Sequence, residues 1–245
     1  MMGRILVVFR REFAAYFATP LAYVFIVIFL SLSGALTFYL GAFFERSQAN
    51  LNSFFGFHSW LFLLLIPAVA MRLWAEERKS GTIELLMTLP LSTTQVVLGK
   101  FLAAWAFVSV AILLTFPLWL TVNYLGRPDN GVIVAGYVGS VIMAGAYLAI
   151  GSCISALTKN QVIAFIVGAM VCFLFLTAGL EIVLSFVRGW APAFLVDAIS
   201  GMSFLTHSEA IRSGVIDHRD VVFYVSLIAV ALFINVAIVD LKKAA

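Results

Sequence analysis

Long apolar runs separated by short polar stretches dominate the hydrophobic pattern of this chain. A helix needs about 20 apolar residues to cross the hydrocarbon core of a bilayer. Six runs are close to this length or exceed it, at residues 21–44, 54–71, 101–125, 132–158, 161–180 and 221–239. The pattern therefore predicts an all-α membrane protein with six transmembrane helices, in which residues 1–245 form a single transmembrane domain.

The N-terminal residues have a helical periodicity of their own. Over residues 4–17, a helical projection gathers the apolar side chains within about 120° of one another. These side chains are Ile5, Leu6, Phe9, Phe13, Tyr16 and Phe17. Arg4 and Arg11 project to the opposite side, which favours an amphipathic helix lying in the cytoplasmic membrane interface. The alternative is a cytoplasmic extension of the first transmembrane helix.

Residues 181–220, between the fifth and sixth runs, are too polar to cross a membrane and too apolar for a free loop. We expect two short helices over residues 190–214, lying on or dipping into the outer leaflet. Thr206 and Glu209 have the spacing of a capping box, which predicts a helix start. Gly214 is the predicted end of that helix, because glycine readily adopts the left-handed conformation at a helix C-terminus.

Small residues recur at helical spacing in the fourth run. They are Gly136, Ser140 and Ala144, then Gly145 and Ala149, then Gly151 and Ser155. Such rows let the backbones of two helices approach closely. We expect them to serve packing within the chain, and a contact between two copies is the alternative.

Composition excludes a soluble domain. Hydrophobic residues make up 63% of the chain and charged residues 11%, against roughly 45–50% and 25% in soluble domains. Of the 15 Lys and Arg residues, ten fall on the side of the N-terminus and the remaining five on the other side. By the positive-inside rule, both termini lie in the cytoplasm, with the chain in a bacterial cytoplasmic (inner) membrane. The net charge of +3 gives no indication of a nucleic-acid partner.

Ionisable groups are nearly absent from the six runs, which argues against chemistry inside the membrane. His58 near the second run and Glu181 at the edge of the fifth belong to no catalytic or metal-binding motif. The chain also lacks a phosphate-binding loop, since the pair Gly99–Lys100 is followed by Phe101 where such a loop needs Ser or Thr. We expect no enzyme activity, metal or cofactor in this chain, and an intramembrane enzyme is the weakest alternative.

The cytoplasmic loop between the second and third runs carries the most information. Gly81 breaks a charged stretch, and residues 82–89 then read as a short apolar helix that Pro90 ends. Ser92 and Gln95 have the spacing of a capping box for the next helix. The short helix exposes Leu85, Leu86 and Met87, a pattern that suits docking into a groove of a partner. The alternative is an amphipathic helix at the membrane interface.

This loop resembles the coupling-helix region of ABC type-2 permeases, the membrane subunits of ATP-driven exporters. The residues that carry the resemblance are Glu76, Glu77, Ser80-Gly81-Thr82, Glu84-Leu85-Leu86, Pro90 and Gly99-Lys100. The stretch from Ser203 to Asp220 resembles the outer segment of compact permeases of the gliding-motility and copper-site-maturation type. His207, Ala210-Ile211, Gly214-Val215-Ile216-Asp217 and Asp220 carry this second resemblance.

The resemblance implies a mechanism and a set of partners. Two permease copies, identical or related, would pair in the bilayer above two ABC ATPase subunits, which bind ATP-Mg. The coupling interface would consist of Glu76, Glu77, Gly81, Thr82, Glu84, Leu85, Leu86, Met87 and Pro90. The carboxylates of Glu76, Glu77 and Glu84 would pair with basic ATPase residues. The alternative is a membrane component that transmits mechanical work or assists assembly, with a partner outside the membrane, and transports nothing. The sequence does not identify a substrate.

Overall fold

Helices account for the regular structure of the chain in the computed structural model, which describes residues 2–45, 49–81, 91–189 and 191–243. The first half contains α1 (Met2–Phe17), α2 (Pro20–Ala35), α3 (Asn52–Ala70), α4 (Arg72–Ser80), α5 (Thr93–Leu113) and α6 (Phe116–Leu125). The second half contains α7 (Asn130–Leu157), α8 (Gln161–Thr177), α9 (Glu181–Arg188), α10 (Ala193–Ser200), α11 (Phe204–Arg212) and α12 (His218–Lys243).

Five helical stretches in the described part of the chain are long and apolar enough to cross a membrane. They are Pro20–Leu40, Asn52–Ser80, Thr93–Leu125, Asn130–Leu157 and His218–Lys242. The predicted fifth span corresponds to α8, which has 17 residues and bends by 81° into α9. The chain thus has five candidate spans, or six if α8 and α9 together form one, and each predicted run contains a helix.

The first span ends earlier than its apolar run, which continues to Phe44. Residues Leu36–Leu40 form a single π-helical turn, closed by a hydrogen bond of 2.7 Å from the amide of Gly41 to the carbonyl of Leu36. Ala42 then adopts a φ of +48°. Such a left-handed residue stops a helix whatever the hydropathy of the residues that follow.

The third span is longer at its start and broken in its middle. It begins at Thr93, and α5 gives way to α6 at Leu114 and Thr115. Pro117 lies in the first turn of α6 and cannot donate a backbone hydrogen bond to Leu113. The Thr115 hydroxyl donates to the carbonyl of Ile112 at 2.6 Å and lies 2.9 Å from the Tyr137 hydroxyl, so side chains stabilise the break.

The helix α7 lies at the centre of the bundle, where α3, α5, α8, α11 and α12 pack around it. Its row of small residues makes this possible. A Cβ atom added to Gly151 would lie 2.5 Å from the Cβ atom of Ala70 in α3, far closer than van der Waals contact. The prediction that these small residues serve packing within the chain is confirmed.

The N-terminal helix α1 packs across α5 with one side. Val8 is buried against Gly99, and the ring of Tyr16 stacks on Phe107 with 4.8 Å between centroids. Leu6, on another side, is exposed. The helix predicted for residues 4–17 is confirmed, and part of its apolar surface contacts protein. Its position in a membrane interface stays a prediction.

The two short helices predicted over residues 190–214 correspond to α10 and α11, and the described part of the chain has one more short helix, α9, directly before them. The predicted start of the last helix at Thr206 is wrong, because Ser203 caps α11 by accepting a hydrogen bond from the amide of Thr206 at 3.4 Å. Ser203 has the same capping chemistry three residues earlier. The predicted helix end is confirmed, since Gly214 has a φ of +86°.

Candidate functional site

The helix α4 carries the backbone out of the second span towards the predicted coupling segment. Only Met71 separates it from α3, so Asn52–Ser80 forms one nearly continuous helical rod. Gly81 ends this rod with a φ of +74°, and no described residue other than its chain neighbours comes within 4 Å of a Cβ placed there. The predicted interruption at Gly81 is confirmed.

The centre of the predicted coupling interface lies outside the described residues, which omit 82–90. This applies to Thr82, Glu84, Leu85, Leu86, Met87 and Pro90, and to the short helix predicted for residues 82–89. That helix stays a prediction. The structure does fix the two points between which the segment runs, Gly81 and Leu91.

The chain re-enters regular structure through the capping box predicted at Ser92 and Gln95. The Ser92 hydroxyl accepts a hydrogen bond from the amide of Gln95 at 3.4 Å, and the Gln95 side chain accepts one from the amide of Ser92 at 3.2 Å. The neighbouring Thr93 hydroxyl donates to Asp240 of α12 at 2.5 Å. The first turn of α5 is therefore capped and attached to the end of the chain.

A buried lysine joins α4, α5 and α1 beside this entry point. Lys100 of α5 is only 3% exposed, and its ammonium lies 2.7 Å from Oε1 of Glu77 in α4 and 3.2 Å from Oε2 of Glu12 in α1. The ammonium also lies 5.6 Å from the ring centroid of Trp74, within the range of a cation–π interaction. We refer to Glu12, Glu77 and Lys100 as the ion-pair junction.

Electrostatics favour the ionised form of Glu12 in the junction. Burial alone raises the pKa of the Glu12 carboxyl, but the Lys100 ammonium and the neighbouring Arg11, which donates to Glu12, outweigh burial and hold this pKa below its usual value. Glu12 is thus ionised at neutral pH.

Glu76, the second acidic residue of the predicted interface that the structure describes, pairs with an arginine of its own helix. Arg72 Nε lies 2.7 Å from Glu76 Oε2, one helical turn away. Among the predicted interface residues that the structure describes, Glu76 and Glu77 thus both contact cations of this chain, and Gly81 is exposed. Their predicted pairing with an ATPase stays a prediction.

Two serines of α7 hold α4 against the bundle. The amides of Trp74 and Ala75 donate to the Ser155 hydroxyl at 3.2 and 3.1 Å, and the Trp74 indole donates to the Ser152 hydroxyl at 3.2 Å. Because Trp74 and Ala75 are fully buried, α4 is a fixed part of the bundle and not a free extension.

Cations from two distant parts of the chain cap the C-terminus of α7. Arg78 donates to the carbonyl of Ala156 at 2.7 Å, and Lys242 donates to that of Leu157 at 2.5 Å. Both bonds occupy carbonyls that lack partners within the helix, at the negative end of its dipole. We call this side of the bundle, with the ion-pair junction, the charged end.

The opposite end contains the pair His207 and Asp220. His207 Nδ1 lies 2.6 Å from Asp220 Oδ1, and His207 Nε2 lies 2.9 Å from the carbonyl oxygen of Gly201. The pair fastens α11 to α12. The second sequence resemblance named both residues, and the structure brings them into contact.

His58 and Glu181, the two isolated candidates for chemistry, have structural partners. His58 is fully buried among phenylalanine rings, and its Nδ1 lies 2.8 Å from the Ser140 hydroxyl. Glu181 is exposed and pairs with Arg188. Across the described ranges there is no group of three or more His, Cys, Asp or Glu residues suited to a metal ion.

Sequence reasoning gave the junction lysine no role of its own. In the sequence, Lys100 belongs to the coupling-region resemblance and to a pair that fails the phosphate-loop pattern, and Glu12 lies within the helix predicted for residues 4–17. A signal was present, because a charged side chain close to a transmembrane run is costly and needs a partner. The identity of that partner, 88 positions away in the numbering of the chain, could not be read from spacing.

Comparison with known families adds one match. A family model described as "ABC-2 family transporter protein" matches residues 44–211, more than half of the chain. The matched region runs from the end of the first span to α11, so it includes α4, the segment 82–90 and α5. A search of curated proteins finds no match.

Proposed function

Because the chain belongs to the ABC-2 transporter family, we propose that it is the membrane-spanning permease subunit of an ATP-binding cassette exporter. A separate ATPase subunit would hydrolyse ATP, and this chain would use the resulting motion to move a substrate across the membrane. Family and candidate spans together make it a multi-pass membrane protein.

The proposal rests on one observation, that the segment 82–90 connects two helices whose facing ends are fixed in the bundle. It leaves a fixed helix at Gly81 and re-enters a capped helix at Ser92, and both points lie at the charged end. A short segment held at both ends transmits a displacement to the two helices that flank it. We infer that this segment forms the predicted coupling helix, with Leu85, Leu86 and Met87 in a groove of the ATPase subunit.

Orientation follows from the charge distribution. We place the charged end, together with both termini, in the cytoplasm of a bacterium, and the short helices α9, α10 and α11 on the outer side of its inner membrane. This arrangement obeys the positive-inside rule. It also puts the segment 82–90 in the compartment where ATP is present.

The remaining partners follow from the family. A second permease copy, identical or related, would complete the transport path within the bilayer, and ATP-Mg would bind to the ATPase subunits alone. A mechanical or assembly role is the second candidate function. The exposed apolar side chains of Ile182, Phe186 and Phe194 on the short outer helices favour it, since they offer a surface to a partner outside the membrane.

Association with the ATPase subunit tests the coupling assignment. Replacing Leu85 or Leu86 by Asp puts a charge into an apolar contact, which we expect to reduce co-purification of the ATPase at least about tenfold, the equivalent of about 1.4 kcal/mol. Leu241→Asp is the matched control, because Leu241 is an exposed leucine at the end of α12. Unchanged association in the Leu85 and Leu86 variants would refute the assignment.

Reconstitution separates the two candidate functions. Proteoliposomes that contain the chain and its ATPase are supplied with ATP, and the movement of candidate substrates into the lumen is measured. ATP-dependent accumulation supports export. Sustained ATP hydrolysis with no accumulation supports the mechanical role.

A further inference from the structure

The ion-pair junction connects the N-terminal helix to the helix that enters the segment 82–90. Glu77 lies on α4, one helical turn before Gly81, and Glu12 lies on α1. Lys100 contacts both carboxylates, at 2.7 Å for Glu77 and 3.2 Å for Glu12. No short stretch of chain makes this connection, because α2 and α3 intervene between α1 and α4.

Burial makes the connection stiff. The Lys100 side chain is only 3% exposed, so the loss of one carboxylate leaves a largely buried charge with one partner fewer. A helix that slides by one residue moves about 1.5 Å along its axis, which stretches these ion pairs unless the partner helices follow. Displacement of α4 therefore either moves α1 with it or strains the buried ion pairs.

Contacts on α1 allow such a displacement to travel further. The ring of Tyr16 stacks on Phe107 of α5, and the ring of Phe25 in α2 lies 5.3 Å from the same Phe107 ring. The helix α1 also leads into α2 through Ala18 and Thr19. A motion that starts at α4 thus has a packed route through α1 to the first candidate span.

We propose that Lys100 is a positioning residue that makes α1 move together with the ATPase-coupling segment during the ATP cycle. This inference rests on the proposed function. It assigns to α1 a role in transmission, beyond attachment to the membrane surface. Lys100 itself would contact neither ATP nor substrate.

The test measures the position of α1 in the complete complex. Nitroxide labels are placed on cysteines introduced at the exposed residues Ala14 in α1 and Lys159 after α7, with Cys153 and Cys172 replaced by serine. The distance between the labels is measured in the complex of the full-length chain with its co-purified ATPase subunit, with and without ATP-Mg.

Glu12→Gln removes the charge on the α1 side and leaves the pair of Glu77 with Lys100. We expect ATP to change the label distance in the unaltered chain and this change to fall below half in Glu12→Gln, while the ATPase remains bound. Glu77→Gln should have the same effect, and the double variant should add little, because the two carboxylates act through one lysine. Glu181→Gln is the matched control, since it removes an exposed ion pair far from the junction.

A second measurement needs no ATPase, so it also applies to variants that do not form the complex with the ATPase subunit. In the chain alone, the mobility of the label at Ala14 should increase in Glu77→Gln as well as in Glu12→Gln. Unchanged mobility in Glu77→Gln would mean that α4 does not restrain α1, which overturns the inference.

The two proposals fail in different ways. If the unaltered chain binds no ATPase, the proposed function fails, whatever the labels report in the chain alone. If the complex forms but ATP moves α1 equally in Glu12→Gln and in the unaltered chain, the role of Lys100 is refuted and the permease assignment is unaffected.

Discussion

Lys100 is the residue whose surroundings depart most from what its neighbours in sequence suggest. It follows Gly99 and precedes an apolar run, yet its ammonium is enclosed by two carboxylates and an indole ring. The lack of a side chain at Gly99 lets α1 approach closely enough to bring Glu12 there, since a Cβ at this position would lie 2.7 Å from that of Val8.

Replacing Lys100 with methionine keeps most of its volume and removes its charge. We expect this to lower the free energy of unfolding by about 2–4 kcal/mol, because Glu12 and Glu77 lose the buried cation that they share. Lys79→Met, on the exposed side of α4, should stay within about 0.5 kcal/mol of the unaltered chain. Thermal unfolding of the detergent-solubilised chain measures both, and equal stabilities would contradict the charge balance described for the junction.

At the scale of the helix, glycines on α7 offer a direct test of packing. Gly151→Ala places a methyl group 2.5 Å from the Cβ atom of Ala70, so α7 and α3 must move apart. We expect a loss of about 1–3 kcal/mol of stability. Gly34→Ala on α2, where nothing lies within 4 Å, should be neutral or stabilising by up to about 1 kcal/mol. Thermal unfolding of the two variants side by side gives the comparison, and a more stable Gly151→Ala would contradict the packing.

Most helices could be predicted, because the thickness of the bilayer sets the length of a span and because capping and helix-ending residues set where it starts and stops. Gly81, Ser92 with Gln95, and Gly214 act locally, and each was found where the sequence placed it. The π-helical turn at Leu36–Leu40 and the 81° bend after α8 were not foreseen. Apolar runs continue through both, and tertiary contacts that hydropathy does not encode decide the path of the backbone.

The site was predicted in outline and not in its contacts. Sequence spacing located the segment 82–90 and its two boundaries. It did not reveal that Glu77 faces inward or that Lys242 and Arg78 cap the same helix. Such contacts join residues far apart in the chain, and a single sequence carries no measure of which distant charges meet.

For the whole molecule, the proposed orientation predicts that the two ends of α7 are accessible from opposite sides of the membrane. Arg127 precedes this helix, Lys159 follows it, and both are exposed. In the background without native cysteines, Arg127→Cys should react with a membrane-impermeant thiol reagent added to intact cells. Lys159→Cys should react only in inverted vesicles. The opposite pattern would place the segment 82–90 outside the cell and rule out coupling to a cytoplasmic ATPase.

The contacts of α12 bear on how the chain is made. Its residues Asn235, Asp240 and Lys242 bond to Ser152, Thr93 and Leu157, all of which leave the ribosome much earlier. During synthesis, the earlier helices must therefore stay in the translocation machinery or in lipid while these polar groups lack their hydrogen-bond partners from α12. Insertion of α12 thus completes the assembly of the helices that precede it, and a nascent chain halted before α12 would be a natural target for quality-control proteases.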